Sequence, residues 1–68
     1  MPVGRVRWFN DKKGFGFIEN QISNDIFVHY SSIQMHGYRI LKENQEVEFE
    51  IREFKRGYQA IKVRIVKE

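Results

Sequence analysis

The chain has 68 residues and no cysteine, so neither a disulfide nor a thiolate metal site can hold it together. Nowhere does it carry an apolar run of the length that a signal segment or a membrane span requires. Repeats, low-complexity tracts and linkers are missing, and no amphipathic helix of useful length can be traced. These absences exclude a disulfide-stapled scaffold, a helical bundle and a helical membrane protein. What they leave is one soluble, cytoplasmic domain over residues 1–68 with a small core, because so short a chain buries only a modest fraction of its surface.

Aromatic residues, by contrast, are plentiful: six Phe, three Tyr and one Trp. They concentrate around the stretch from Lys13 to Tyr30, which reads as two strands separated by the polar segment Gln21–Asn24. On the first strand Phe15, Phe17 and Glu19 share one face, opposite Gly16, Ile18 and Asn20. On the second Asp25, Phe27 and His29 share a face, opposite Ile26, Val28 and Tyr30. Paired as a hairpin, they gather Ile18, Ile26 and Val28 on one side and Phe15, Phe17, Phe27 and His29 on the other. The plain alternative is a sheet buried on both faces. Two details weigh against it. Glycine weakens a strand unless a backbone or a ligand must come close, yet Gly14 and Gly16 interleave with Phe15 and Phe17. The aromatic face also carries Glu19, Asp25 and His29, with Lys12 and Lys13 at its entrance, and a sealed core does not accept such groups cheaply. An aromatic patch rimmed by polar groups points to a binding surface.

Three further strands complete the reading. Val3 to Asn10 alternates until Arg7-Trp8-Phe9, where three large side chains in succession predict a bulge or bend that turns Trp8 outward and leaves Phe9 half-buried. Glu46 to Ile51 places Val47, Phe49 and Ile51 inward, and Tyr58 to Val66 places Ile61, Val63 and Ile65 on one face. The turn Asn10–Gly14 precedes the aromatic strands, and Lys55-Arg56-Gly57 is a loop tip. Ser31 to Leu41 reads as a long loop with one 3₁₀ turn, followed by a turn at Lys42–Gln45 in which Asn44 can adopt the left-handed conformation. Five short strands with polar turns predict an all-β, small five-stranded antiparallel barrel.

Formal charge is +3, but its distribution is uneven. Residues 1–18 and 54–68 are basic, whereas residues 42–53 hold five Glu against Lys42 and Arg52. The basic ends are therefore expected beside the aromatic patch, with the acidic strand elsewhere. Catalysis is poorly supported. Asp25 and His29 share a face but stand four strand residues apart, roughly 13 Å at about 3.3 Å per residue, too far for a dyad. Two histidines without a Cys or a carboxylate cluster make a weak metal site, and Gly14-Phe15-Gly16 lacks the third glycine and the helix of a dinucleotide loop. No catalytic residue, metal or cofactor is expected. Single-stranded nucleic acid fits better, since exposed bases stack on aromatic side chains at about 1–3 kcal/mol each while Arg7, Lys12, Lys13 and Arg56 hold the backbone. Duplex DNA fits poorly without a recognition helix. A small SH3-like barrel binding proline-rich peptides is the competing reading.

Lys13-Gly14-Phe15-Gly16-Phe17-Ile18 resembles the first ribonucleoprotein motif, and Asp25-Ile26-Phe27-Val28-His29-Tyr30 resembles the second. In this order, after Gly4-Arg5-Val6-Arg7-Trp8-Phe9-Asn10, they resemble the cold-shock domain family. The likeness continues through Ser31-Ser32-Ile33, Gly37-Tyr38-Arg39, Gln45–Phe49 and Arg56–Ala60, and it covers essentially the whole chain. It implies an OB-fold barrel, here a free-standing bacterial-type protein, that binds single-stranded RNA and DNA as an RNA chaperone or transcription antiterminator after a temperature drop. By motif position Trp8, Phe15, Phe17, Phe27, His29, Tyr30 and Tyr38 would stack, while Arg7, Lys13, Asp25 and Arg56 would add polar or ionic contacts. A monomer is expected, with strand exchange between chains as the alternative. The chain departs from the family pattern at Arg7, Tyr30, Tyr38, Asn44 and Tyr58, and its Gln21–Asn24 loop lacks the customary glycines.

Overall fold

Alternation at period two becomes five strands in the computed structural model, which describes residues 2–34, 37 and 40–66: β1 (Val3–Asn10), β2 (Phe15–Glu19), β3 (Ile26–His29), β4 (Glu46–Phe54) and β5 (Gly57–Ile65). They close into a barrel in the order β1-β2-β3-β5-β4. Neighbours are antiparallel everywhere except between β3 and β5, whose register has Phe27 opposite Gln59 in parallel. That exception follows from counting. Directions cannot alternate all the way round a ring of five strands, so one seam must be parallel.

Inward-facing residues fill the barrel. Ile18, Ile26, Val28, Val47, Phe49, Ala60 and Val63 are fully buried, with Val6, Ile33 and Leu41 nearly so. Each large aliphatic or aromatic member contributes about 1.5–3 kcal/mol by leaving water. In a small domain whose net stability is only about 0.05–0.15 kcal/mol per residue, the loss of any one is felt. Ile51 and Phe9 pack partly against this cluster, as their sequence positions predict.

Two bulges adjust the alternation. In β1 the register slips between Val6 and Trp8, so that Val6 pairs with Ile18 and Trp8 with Phe17. Trp8 is thereby brought to the outer face, and Phe9 turns half inward over Gly16. In β5 the register slips again, Arg64 pairing with Glu48 and Ile61 with Glu50. Lys62 sits there at φ 53°. Its inserted residue corrects the expected face of β5: Ala60 and Val63 are buried, three apart, while Ile61 and Ile65 are only half-buried. Strict alternation placed Ile61, Val63 and Ile65 together, and a bulge flips side chains that alternation alone would align.

Turn chemistry fixes the ends of the strands. Asn44 takes φ 70°, as its residue type allows, and its N–H donates to the Val6 carbonyl at 2.7 Å. The glycine-free loop after β2 is organised by side chains instead. Asn20 Oδ1 accepts from the N–H groups of Ile22 and Ser23 at 2.8 and 3.2 Å, and Ser23 Oγ accepts from Asp25 N–H at 3.0 Å. β3 ends at His29, and the next three residues, Tyr30–Ser32, form a single 3₁₀ turn.

Candidate nucleic-acid interface

Because Ile18, Ile26 and Val28 occupy the inner face of β2 and β3, Phe15, Phe17 and Phe27 point to the outer one and remain half-buried. Cross-strand register sets Phe17 opposite Phe27 and Phe15 opposite His29, and the β1 bulge adds Trp8 beside Phe17. The rings make a continuous patch. Trp8 lies 5.8 Å from Phe15 and 5.4 Å from Phe17, while Phe27 lies 5.9 Å from Phe15 and 5.8 Å from Phe17, centroid to centroid. Offset and edge contacts of this kind hold the rings against one another. They also leave surface open, with Trp8 still 41% exposed.

His29 and Tyr30 extend the patch, their ring centroids 4.5 Å apart. Alternation put Tyr30 on the aliphatic face with Ile26 and Val28. The 3₁₀ turn rotates it out of the barrel instead, leaving it 47% exposed. Its position is tied down by its N–H, which donates to the Gly14 carbonyl at 2.8 Å, and by its ring, which lies directly over Gly14. His29 Nδ1 accepts the Ser31 N–H at 3.3 Å and lies 2.8 Å from Ser31 Oγ. With Nδ1 accepting, a neutral ring carries its proton on Nε2, a donor with no partner among the described residues.

The glycines of the aromatic strand serve the fold. A Cβ at Gly16 would stand 2.2 Å from the Trp8 carbonyl oxygen, and Gly14, at φ 75°, lies under the Tyr30 ring. Of the two reasons for a glycine here, close approach of protein backbone or of a ligand, the packing supplies the first at Gly16.

Charge is arranged differently from the sequence expectation. Arg7 is held between two carboxylates, 3.1 Å from Asp25 Oδ1 and 3.7 Å from Glu19 Oε1, and it also donates to the Asn24 carbonyl at 3.1 Å. Arg7 and Asp25 therefore meet each other rather than standing as two independent contacts. Exposed pairs like this one are worth about 0–1 kcal/mol, so a phosphate can compete for the guanidinium. At the other end of the chain, Lys62 lies 3.8 Å from Glu50 and Arg64 is paired with Glu48, because β5 runs beside the acidic β4. These two cations do not gather at the aromatic patch. Lys55 and Arg56, at the β4–β5 turn, do: they line a groove with Phe17, Asp25 and Phe27. Lys13 is exposed in the β1–β2 turn, its N–H held by Asn10 Oδ1 at 2.9 Å. Tyr38 lies outside the described residues.

Sequence reasoning missed Phe54, which lines the same groove with Tyr58 and Gln59 and is 51% exposed. The signal was present. Phe54 is out of phase with Val47, Phe49 and Ile51, so strand parity puts it outside.

The family model described as the 'Cold-shock' DNA-binding domain matches residues 3–66. A cold shock-like protein of Thermotoga maritima is 54% identical over 63 residues, 93% of this chain and 96% of the relative. Cold shock-like protein CspB of Bacillus cereus is 58% identical over 60 residues, 88% and 92% of the two chains. Cold shock protein CspA of Staphylococcus saprophyticus is 56% identical over 63 residues, again 93% and 96%.

Proposed function

The chain belongs to the cold-shock domain family, whose members bind nucleic acid, and on that premise we propose that it binds single-stranded RNA and DNA by base stacking. The observation that carries this reading is the division of the β2–β3 hairpin. Its inner face is packed with aliphatic side chains, and its outer face bears Trp8, Phe15, Phe17 and Phe27 in mutual contact and open to solvent. Every base presents a π-face, so such a platform tolerates many sequences, and each stack contributes about 1–3 kcal/mol. Flexible, easily unstacked pyrimidine runs are the preferred ligands. His29 Nε2 and the Asp25 carboxylate supply a donor and an acceptor for base edges, while Lys13, Arg56 and a released Arg7 contact phosphates. Tyr30 and Tyr38 extend the stacking surface.

In the cell this activity amounts to keeping transcripts unpaired, as an RNA chaperone or transcription antiterminator in the cytoplasm under cold stress. No catalytic step belongs to it, and a monomer suffices. The test is a fluorescence titration of Trp8, the only tryptophan, with oligo-dT, oligo-dA and duplex DNA at two salt concentrations. Strong quenching by oligo-dT, less by oligo-dA and little by duplex is expected. A moderate salt slope would assign most of the affinity to stacking rather than phosphates. Absence of quenching by any oligonucleotide refutes the proposal, and tight binding of a proline-rich peptide would replace it with the SH3-like reading.

A further inference from the structure

The aromatic patch does not end at Phe27. Beyond it, at the outer mouth of the parallel seam where Phe27 faces Gln59, a groove of about 700 Å³ opens toward the β4–β5 turn. That volume is within the range of small-molecule sites, about 300–1,000 Å³. Its lining is continuous with the platform, since Phe17 and Phe27 belong to both. Phe54, Tyr58, Lys55 and Arg56 line it as well, together with Asp25, whose carboxylate is paired with Arg7. Phe54 is exposed, whereas Tyr58 packs partly against the core as well as lining the groove.

Charge identifies the occupant. Lys62 and Arg64, on the same strand pair, are neutralised by Glu50 and Glu48, but Lys55 and Arg56 make no ion pair among the described residues. Two unpaired cations beside an exposed aromatic ring suit a group that is flat and apolar on its face and anionic at its edge. A nucleotide has that shape. We propose that this groove is an additional stacking subsite that takes one nucleotide of the single strand beyond those lying on the platform. The base rests on Phe54, the Gln59 amide offers both a donor and an acceptor to its edge, and Lys55 and Arg56 receive the flanking phosphate. The inference rests on the single-strand reading of the platform and extends its footprint.

A length series of oligo-dT, from four to eight nucleotides, separates the two. For the wild-type protein, affinity rises with length until the groove is filled. Phe54→Ala should bind the shortest oligomers like the wild type but lose roughly fivefold or more on the longest, corresponding to the low end of one base stack, about 1 kcal/mol. Phe54→Tyr keeps the ring and should retain the affinity. Lys55→Gln should lower the salt slope on the longest oligomer by about 0.7, the value of one phosphate contact on a single strand. Equal affinity of Phe54→Ala and wild type at every length overturns the groove and leaves the platform standing. An equal loss at every length also overturns it, because Phe54 would then act on the platform. If the wild type binds no oligomer, both readings fall together. Unchanged thermal unfolding of Phe54→Ala, expected for so exposed a side chain, shows that the comparison is between folded proteins.

Discussion

Gly16→Ala is the substitution that tests how Trp8 comes to stand outside. The new Cβ would lie 2.2 Å from the Trp8 carbonyl oxygen, 2.8 Å from Phe9 Cα and 2.9 Å from the Phe9 ring, and real Cβ contacts essentially never fall below 3.0 Å. Two of these three neighbours are backbone, so no rotamer change relieves them. Ordinary contact begins at 3.4 Å, so β1 must retreat from β2 by more than an ångström at the bulge. Overpacking of this kind costs about 1–3 kcal/mol, and each ladder hydrogen bond weakened at Trp8 and Phe9 costs about 0.5–1.5 kcal/mol more. Against this, replacing glycine with alanine restricts the unfolded chain and returns about 0.4–1 kcal/mol. The net expectation is a loss of about 2–3 kcal/mol.

A domain of this size holds only a few kcal/mol in reserve, so the effect should be plain. Urea unfolding followed by Trp8 emission is the assay. With a slope of about 1 kcal/mol/M for so small a protein, the midpoint should fall by about 2–3 M, and the native emission of Trp8 should shift as β1 moves. A midpoint within about 0.5 M of the wild type would refute the packing argument. If binding of oligo-dT were lost while stability was kept, Gly16 would be making room for a ligand, the other reason for a glycine in this strand.

Other substitutions separate the faces and the bulges. Phe27→Ala should weaken oligonucleotide binding by about 1–3 kcal/mol in a titration, whereas Val47→Ala, fully buried, should leave the platform intact and lower unfolding free energy by about 1–4 kcal/mol. Unfolding by Phe27→Ala without a loss specific to binding would contradict the exposed platform. Lys62→Gly relieves a left-handed residue at φ 53° that costs about 1–2 kcal/mol, and it gives up only an exposed ion pair with Glu50. A gain of up to about 1 kcal/mol in chemical denaturation is expected. Destabilisation there would mean that the bulge needs the lysine. Asn44→Ala, at φ 70°, should lose about 1 kcal/mol while Asn44→Gly should not, measured in the same way.

Which faces exist can be read from residue order alone. Period-two alternation separated Ile18, Ile26 and Val28 from Phe15, Phe17 and Phe27, and three bulky residues in a row at Arg7-Trp8-Phe9 marked the β1 bulge. These features are legible because side-chain direction in a strand is a local property of the backbone. Turn residues were legible for the same reason, Asn44 among them. Motif order carried the family and the barrel, but the expected antiparallel pairing did not include the parallel β3–β5 seam, which closure of five strands into a ring requires. Contacts between segments distant in sequence set the rest. The β5 bulge at Lys62 has no glycine to announce it, so Ile61 was assigned to the wrong face. Tyr30 left the aliphatic face because a 3₁₀ turn and the Gly14 carbonyl claimed it. Pairing of β4 with β5 neutralised Lys62 and Arg64, and it left Lys55 and Arg56 without an ion pair among the described residues, beside the platform. The arrangement of charge, and the groove at Phe54, are consequences of which strands lie side by side, and no single strand specifies its neighbour.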